Sequence, residues 1–392
     1  MSSPWFIPDA QQWRVEEGYN PAVPTALDCV ARKFLQDGGV ASDLLDCVAP
    51  VIAAAMAKSQ RLRVLYVVCL CLAAEDPPDR ALPPLREALA LAKELGETHA
   101  RIDLLMQRAY VNRYITQIPA AANDLRECLE VFEELKRRGE WGPEDTTRML
   151  TVLVRLASQE FLLGDITACE ASLARADDVL AQVGEHLDSQ ARLAWNHALL
   201  ARWRGEYDAA LTQSVAAVGY YQQLHDPEML SRIEGATGEI LLDLAEQSRA
   251  YGDEETCAGY LVRAEQYIER AIQIAMDNDY QGSECSARII RARLLLLQGT
   301  PGDRTLLLEE LANRGKQHRD MALVCKAYTG IGRECEAVGD LTAAKEWYRR
   351  AIPTLKESQN VADIIWAQRA LWRLEGEMKS DDPPAADHSP QD

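Results

Sequence analysis

Five residues on one short stretch have the types and spacing for recognition chemistry: Trp195, Asn196, Leu199, Arg202 and Trp203. They recur at i, i+1, i+4, i+7 and i+8, so a helix there places two indoles and a guanidinium on one stripe. Trp and Arg anchor interfaces because each joins a large contact area to directional polar contacts. The same residues have a plainer use, in which the indoles fill gaps between helices and the arginine pairs with a nearby acid. Spacing alone leaves both uses open.

Catalytic sets are missing from the sequence. Neither GxxxxGK[ST] nor GxGxxG occurs, so no Gly-rich loop is expected to cradle a nucleotide. HExxH is absent, and His99, His186, His197, His225, His318 and His388 fall without HxxxH spacing; no metal and no other cofactor is expected. No GxSxG elbow marks a serine hydrolase. Adjacent carboxylates such as Glu133-Glu134 and Asp177-Asp178 fall on helical stretches, where they read as solvated faces. The expectation is a protein that is not an enzyme.

Bulk properties narrow the partners. The 392 residues carry a net charge of −19, which opposes direct nucleic-acid binding, since that needs a basic face to neutralise phosphates. It also opposes docking on anionic membranes. The apolar run from Val64 to Ala74 is far shorter than the roughly 20 residues that span a bilayer. Met1-Ser2-Ser3-Pro4-Trp5 has neither the basic nor the apolar region of a signal peptide. The ten cysteines form no CxxC pair and are expected as buried free thiols in a reducing cytoplasm.

What must position the stripe is a repeat. Gly164-Asp165-Ile166, Gly205-Glu206-Tyr207, Gly252-Asp253-Glu254, Gly299-Thr300-Pro301 and Gly339-Asp340-Leu341 follow one another at intervals of 41, 47, 47 and 40 residues, each leading into an amphipathic run. A near-fixed period of this size predicts stacked helix pairs, each burying its apolar face only against its neighbours. Alternating β-branched stretches do not occur, so the fold class is all-α. An irregular N-terminal arm is expected over 1–24, where Pro4, Pro8, Pro21 and Pro24 break any helix. An N-terminal helical bundle is expected over 25–97, with helices at 25–37, 41–58, 60–74 and 79–96. A solenoid is expected over 98–377, closed by a capping helix that carries Ile364, Ile365, Ala367, Leu371 and Leu374 on one side. The acidic, Pro-containing stretch 378–392 reads as a disordered tail.

The repeat resembles the tetratricopeptide (TPR) unit. Its clearest copy, 325–359, holds Tyr328, Ile331 and Gly332 on a first helix, Gly339-Asp340 at the turn, and Ala344, Tyr348 and Ala351 on a second; Lys356 stands where the family has Pro. A looser copy holds Leu153, Leu156, Ala157, Phe161, Gly164, Cys169, Leu173 and Ala176, and another has Ser214 where an aromatic is usual. The period exceeds the family's basic 34 residues and is similar to the roughly 40-residue arrays of bacterial regulatory proteins. The resemblance implies a right-handed superhelical α-solenoid of stacked helix–turn–helix repeats. It also implies that first helices line a concave face, which here would carry Arg155, Arg192, Trp195, Asn196, Leu199, Arg202 and Trp203. Glu239, Asp243, Glu246, Arg293, Lys326 and Arg333 would follow on the same face. Val154, Ser158 and Asn196 do not complete the Lys/Asn clamp of chaperone-binding members. The function implied is a cytoplasmic, non-catalytic scaffold that holds a protein or peptide segment on this face. The alternative is a peptide- or ligand-sensing regulator whose N-terminal bundle is the output module.

Overall fold

The computed structural model describes residues 17–37, 40–75, 78–300, 304–317, 320–358 and 361–376. Most of the arm expected over 1–24 and all of the tail expected over 378–392 lie outside the described residues, as do the side chains of Lys356, Ile364 and Ile365. Among the described residues there is no strand. The first helices are α1 (Ala22–Asp37), α2 (Ala41–Val48), α3 (Lys58–Ala73), α4 (Leu82–Leu95), α5 (Thr98–Tyr114), α6 (Ile118–Arg138), α7 (Pro143–Leu162) and α8 (Ile166–Val183). Then come α9 (Leu187–Trp203), α10 (Tyr207–Leu224), α11 (Pro227–Ala250), α12 (Glu254–Asp277), α13 (Gln281–Leu297) and α14 (Thr305–Gln317). The last are α15 (Met321–Ala337), α16 (Leu341–Ser358) and α17 (Val361–Glu375). The class is the all-α solenoid read from the repeat.

The chain forms two compact units, one of residues 1–160 and 168–183, the other of 161–167 and 184–392. In the first, Val23, Leu27, Val48 and Val64 centre one apolar cluster, and Leu62, Leu85, Ala88 and Leu104 centre another. In the second, α11 and α12 share a core, with Leu241, Leu261, Ile268 and Ala271 closed over by Ile290 and Leu294 of α13. No helix among the described residues is long and apolar enough to cross a membrane.

Two sequence expectations need correction. The helix expected over 41–58 stops at Val48, because Pro50 lacks an N–H and clashes with the preceding turn; irregular turns then lead to α3. The cysteines are not all free. Cys29 of α1 and Cys47 of α2 are joined in a disulfide, with their Cα atoms 5.8 Å apart, a pairing that no local spacing announces. Seven of the other eight are buried. Burial first, then the charges of Glu87 and Cys71, pushes the Cys69 thiol up to about 12, which makes it an inert core group.

The period itself has a backbone cause. Gly164, Gly205, Gly252, Gly299 and Gly339 all have positive φ, from 67° to 81°, the left-handed conformation that ends a helix and that glycine adopts without steric penalty. The acid that follows is often the next helix's cap. Asp253 accepts from the Thr256 N–H at 3.0 Å and Asp340 from the Ala343 N–H at 2.9 Å. Gly252→Ala is therefore expected to destabilise the second unit by about 1–2 kcal/mol. Gly259 lies inside α12, exposed, with open space where a Cβ would be. Gly259→Ala is expected to stabilise it by up to about 1 kcal/mol. Urea melts of the two variants check the pair, and equal shifts of one sign would refute the backbone assignment.

Candidate recognition face

The stripe of α9 divides into two halves. His186 starts the helix, its Nδ1 accepting from the Ser189 N–H at 3.4 Å. In the first half Arg192 donates from Nε to both oxygens of Asp188 at 3.1 Å. Trp195 packs on the apolar cluster of Ala191, Ala217, Tyr221 and Ile233, Asn196 is buried, and Leu199 is half-buried. The second half faces other first helices. Arg202 donates from Nε to Asp243 Oδ2 at 2.6 Å and from Nη1 to Glu239 Oε2 at 3.0 Å. Trp203 meets Phe161 edge-on, ring centroids 6.3 Å apart, and lies under the Arg369 guanidinium of α17 at 4.7 Å.

Glu239, Asp243 and Glu246 stand at i, i+4 and i+7 of α11, one helical face, and this face organises the cluster. Asp243, 7% exposed, takes Arg202 on Oδ2 and Arg293 of α13 on Oδ1, both at 2.6 Å. Arg293 also donates from Nε to Glu246 Oε1 at 3.1 Å. Arg333 and Lys326, seven residues apart on α15, are electrostatically coupled to the same group, Arg333 to Arg293, Glu246 and Asp243, and Lys326 to Glu239. Four first helices, α9, α11, α13 and α15, thus contribute to one charged network within the second unit. Of the residues expected on the concave face, the structure brings Arg202, Arg293 and Arg333 together; Arg192, Trp195 and Asn196 sit in pairing and core roles farther along α9. Arg155 belongs to the first unit, partly exposed on α7, with its carbonyl accepting from Gln159 Nε2 at 3.4 Å.

The network's electrostatics favour its ion pairs. Burial alone would raise the Glu239 carboxyl, but the charges of Arg202, Lys326 and Arg293 and the Arg202 hydrogen bond outweigh it and hold the group far below the usual carboxylate range. Burial likewise works against Arg202 and Arg293, and Asp243 with Glu239 or Glu246 reverses it, leaving both guanidiniums above their ordinary range. A depressed carboxylate contributes stability above its unfolded value, about 4.3, and loses it as pH falls through the folded value. Denaturation between pH 7 and pH 3 is expected to show an acid-side decline that Glu239→Gln flattens. An unchanged slope in that variant would place the acid sensitivity elsewhere.

Sequence reasoning missed Arg369 and the α17 contact altogether; only the indole it covers was legible. Chemically the face offers directional cations, acids and one partly exposed indole. Among the described residues no group of His, Cys, Asp and Glu is arranged to hold a metal ion.

No protein-family model matches the chain, and no curated protein matches it. The solved structures similar to the chain include two Rap proteins. The apo form of RapI gives a TM-score of 0.56 at 12% identity, over 91% of this chain and 87% of that one. The Rap conjugation gene regulator of plasmid pLS20, in complex with the Phr* peptide, gives 0.59 at 14% identity, over 83% of this chain and 84% of that one. The likeness is one of fold, that of TPR-like helical repeats.

Proposed function

We propose that this chain is a non-catalytic binding protein that takes a peptide, or an extended protein segment, on the face shared by α9, α11, α13 and α15. The observation that carries the reading is the arrangement around Trp203. An indole, three arginines and three acids from successive first helices stand on one face of one unit, where a chain would meet a different helix every few residues. Such a face suits a peptide better than a small apolar ligand, because its groups are polar, directional and spread along a line. The fold of a regulator whose structure holds a peptide supports the same reading.

The test is selection of short peptides from a random hexapeptide library on the immobilised full-length protein. Peptides retained by wild type and released by Trp203→Ala, with melting unchanged, support the site. Retention that survives the substitution moves the site off this face, and a library with nothing retained ends the peptide reading. The scaffold and regulator versions part on a second measurement. The likeness to two Rap proteins favours the version in which helices α1–α4 are the output module. A selected peptide should then alter amide exchange over residues 22–95, whereas a plain scaffold leaves those amides unchanged.

A further inference from the structure

We infer that Arg333, beside Arg293, is a receptor for one carboxylate of the bound peptide. The inference rests on the peptide reading above and adds the chemistry that the peptide must bring. Almost every charge on this face is already answered. Arg202 is divided between Glu239 and Asp243, and Arg293 between Asp243 and Glu246. Arg333 and Lys326 are the exceptions, and of the two Arg333 carries the planar guanidinium fork. Among the described residues no carboxylate stands within ion-pair distance of Arg333, although it is coupled to Asp243 and Glu246 at longer range. Arg293, 7% exposed, has a second shortfall: its Nη1 is buried and has no hydrogen-bond acceptor among the described residues.

Charge counting agrees. Arg202, Arg293, Arg333 and Lys326 oppose Glu239, Asp243 and Glu246, four cations against three carboxylates, within a chain whose net charge is −19. Burial, followed by the neighbouring charge of Arg293, pushes the Arg333 guanidinium below its ordinary range; Glu246 and Asp243 offset only part of this. The attraction of an anion arriving at Arg333 offsets both effects. A planar carboxylate matches the guanidinium fork with two parallel hydrogen bonds. Four cations against three carboxylates leave one positive charge, which a monoanion neutralises and a phosphate dianion would overshoot, so the monoanion fits better. In a peptide the carboxylate has two sources, the C-terminus and an Asp or Glu side chain.

Peptides enriched from the hexapeptide library are remade in three forms: free acid, C-terminal amide, and free acid with Asp and Glu replaced by Asn and Gln. Each is titrated against full-length wild type, Arg333→Gln and Arg333→Lys. Arg333→Gln removes no ion pair, so the fold is expected to persist, and its melting curve checks this. The expected result is a loss of about 10- to 100-fold for one of the two modified forms, the size of a charged hydrogen-bonded contact. Arg333→Gln should lose the same factor and no more with that form, and Arg333→Lys should restore part of it. Sensitivity to amidation assigns the terminal carboxylate, and sensitivity to the Asn/Gln form assigns a side chain. If all three forms bind wild type alike, the receptor is wrong while the peptide reading stands. A parallel melt in sodium acetate against sodium chloride at equal ionic strength covers the case of no retained peptide. Stabilisation of wild type beyond Arg333→Gln keeps the receptor and discards the peptide, whereas equal shifts discard both. Inorganic phosphate stabilising wild type more than acetate does would overturn the carboxylate assignment.

Discussion

Asp243→Asn is expected to lower the stability of the second unit by about 3–5 kcal/mol, the range for removing one partner of a buried ion pair. The carboxylate is 7% exposed, and each oxygen serves a different arginine, Oδ2 taking Arg202 and Oδ1 taking Arg293. Asparagine keeps the shape but offers one acceptor in place of two, and leaves two desolvated cations facing each other. Arg293 is itself 7% exposed, so water cannot take over the missing charge. Arg202 retains Glu239 and Arg293 retains Glu246, which is why the loss falls within the quoted range rather than beyond it. Asp188→Asn is the control. Its pair with Arg192 is an i,i+4 contact, 41% and 34% exposed, and its removal should change stability by less than about 1 kcal/mol. Chemical denaturation of both variants, followed by tryptophan fluorescence, makes the comparison. Losses of equal size would mean that the Asp243 network is solvated and contributes no more than a surface pair. Simultaneous replacement of Arg202, Glu239, Asp243 and Arg293 by apolar residues of similar volume is expected to recover much of the loss, because it removes the buried charges together and leaves only Glu246, whose side chain is 43% exposed, to be solvated.

The reach of the sequence follows from which forces are local. The turn glycines were legible because a left-handed residue is a local requirement, and it recurs wherever a first helix hands over to a second; Gly205, Gly252 and Gly339 all satisfy it. Residues placed on the first-helix face by their register, Arg202, Glu239, Asp243, Arg293 and Arg333, do lie in one network, since helical phase carries over from one copy to the next. Which of the two uses each residue takes was not legible. Trp195 and Trp203 occupy one stripe, yet the first fills core against Tyr221 while the second lies under Arg369. That difference depends on how far the stack curves before α17 comes round to α9, and curvature is a sum of small rotations that no single repeat records. The Cys29–Cys47 link has the same character, a meeting of two helices whose packing, not whose spacing, sets the distance.

Helix crossing is the other place where the fold tolerates little. A Cβ built on Gly332 would lie 2.6 Å from Cε1 and 2.8 Å from Cζ of Tyr348, closer than carbon atoms approach. The ring cannot step aside easily, because Tyr348 is fully buried and its hydroxyl donates to Glu336. The expected cost of Gly332→Leu is therefore at or above the upper end of the usual overpacking range, about 3 kcal/mol. Gly332→Ala should cost less, since helix propensity returns up to about 1 kcal/mol, but the sign remains destabilising. The sharper test uses the contact itself. Tyr348→Leu removes the ring and costs stability alone, through the space it leaves. Combined with Gly332→Ala, it gives the new methyl the vacated volume, so the double variant should be more stable than the sum of the two single losses by about 1 kcal/mol or more. Strict additivity would mean that the backbones of α15 and α16 separate to absorb the methyl, and that glycine at 332 is not what sets their distance. Gly330, two residues earlier, supplies the internal comparison. The nearest atoms to its added Cβ are the two methyls of Leu308, both at 3.3 Å, a side-chain end that needs to give by only a few tenths of an ångström. Gly330→Ala is accordingly expected to cost clearly less than Gly332→Ala, and the contrast between the two glycines of one helix separates steric crossing from helix propensity.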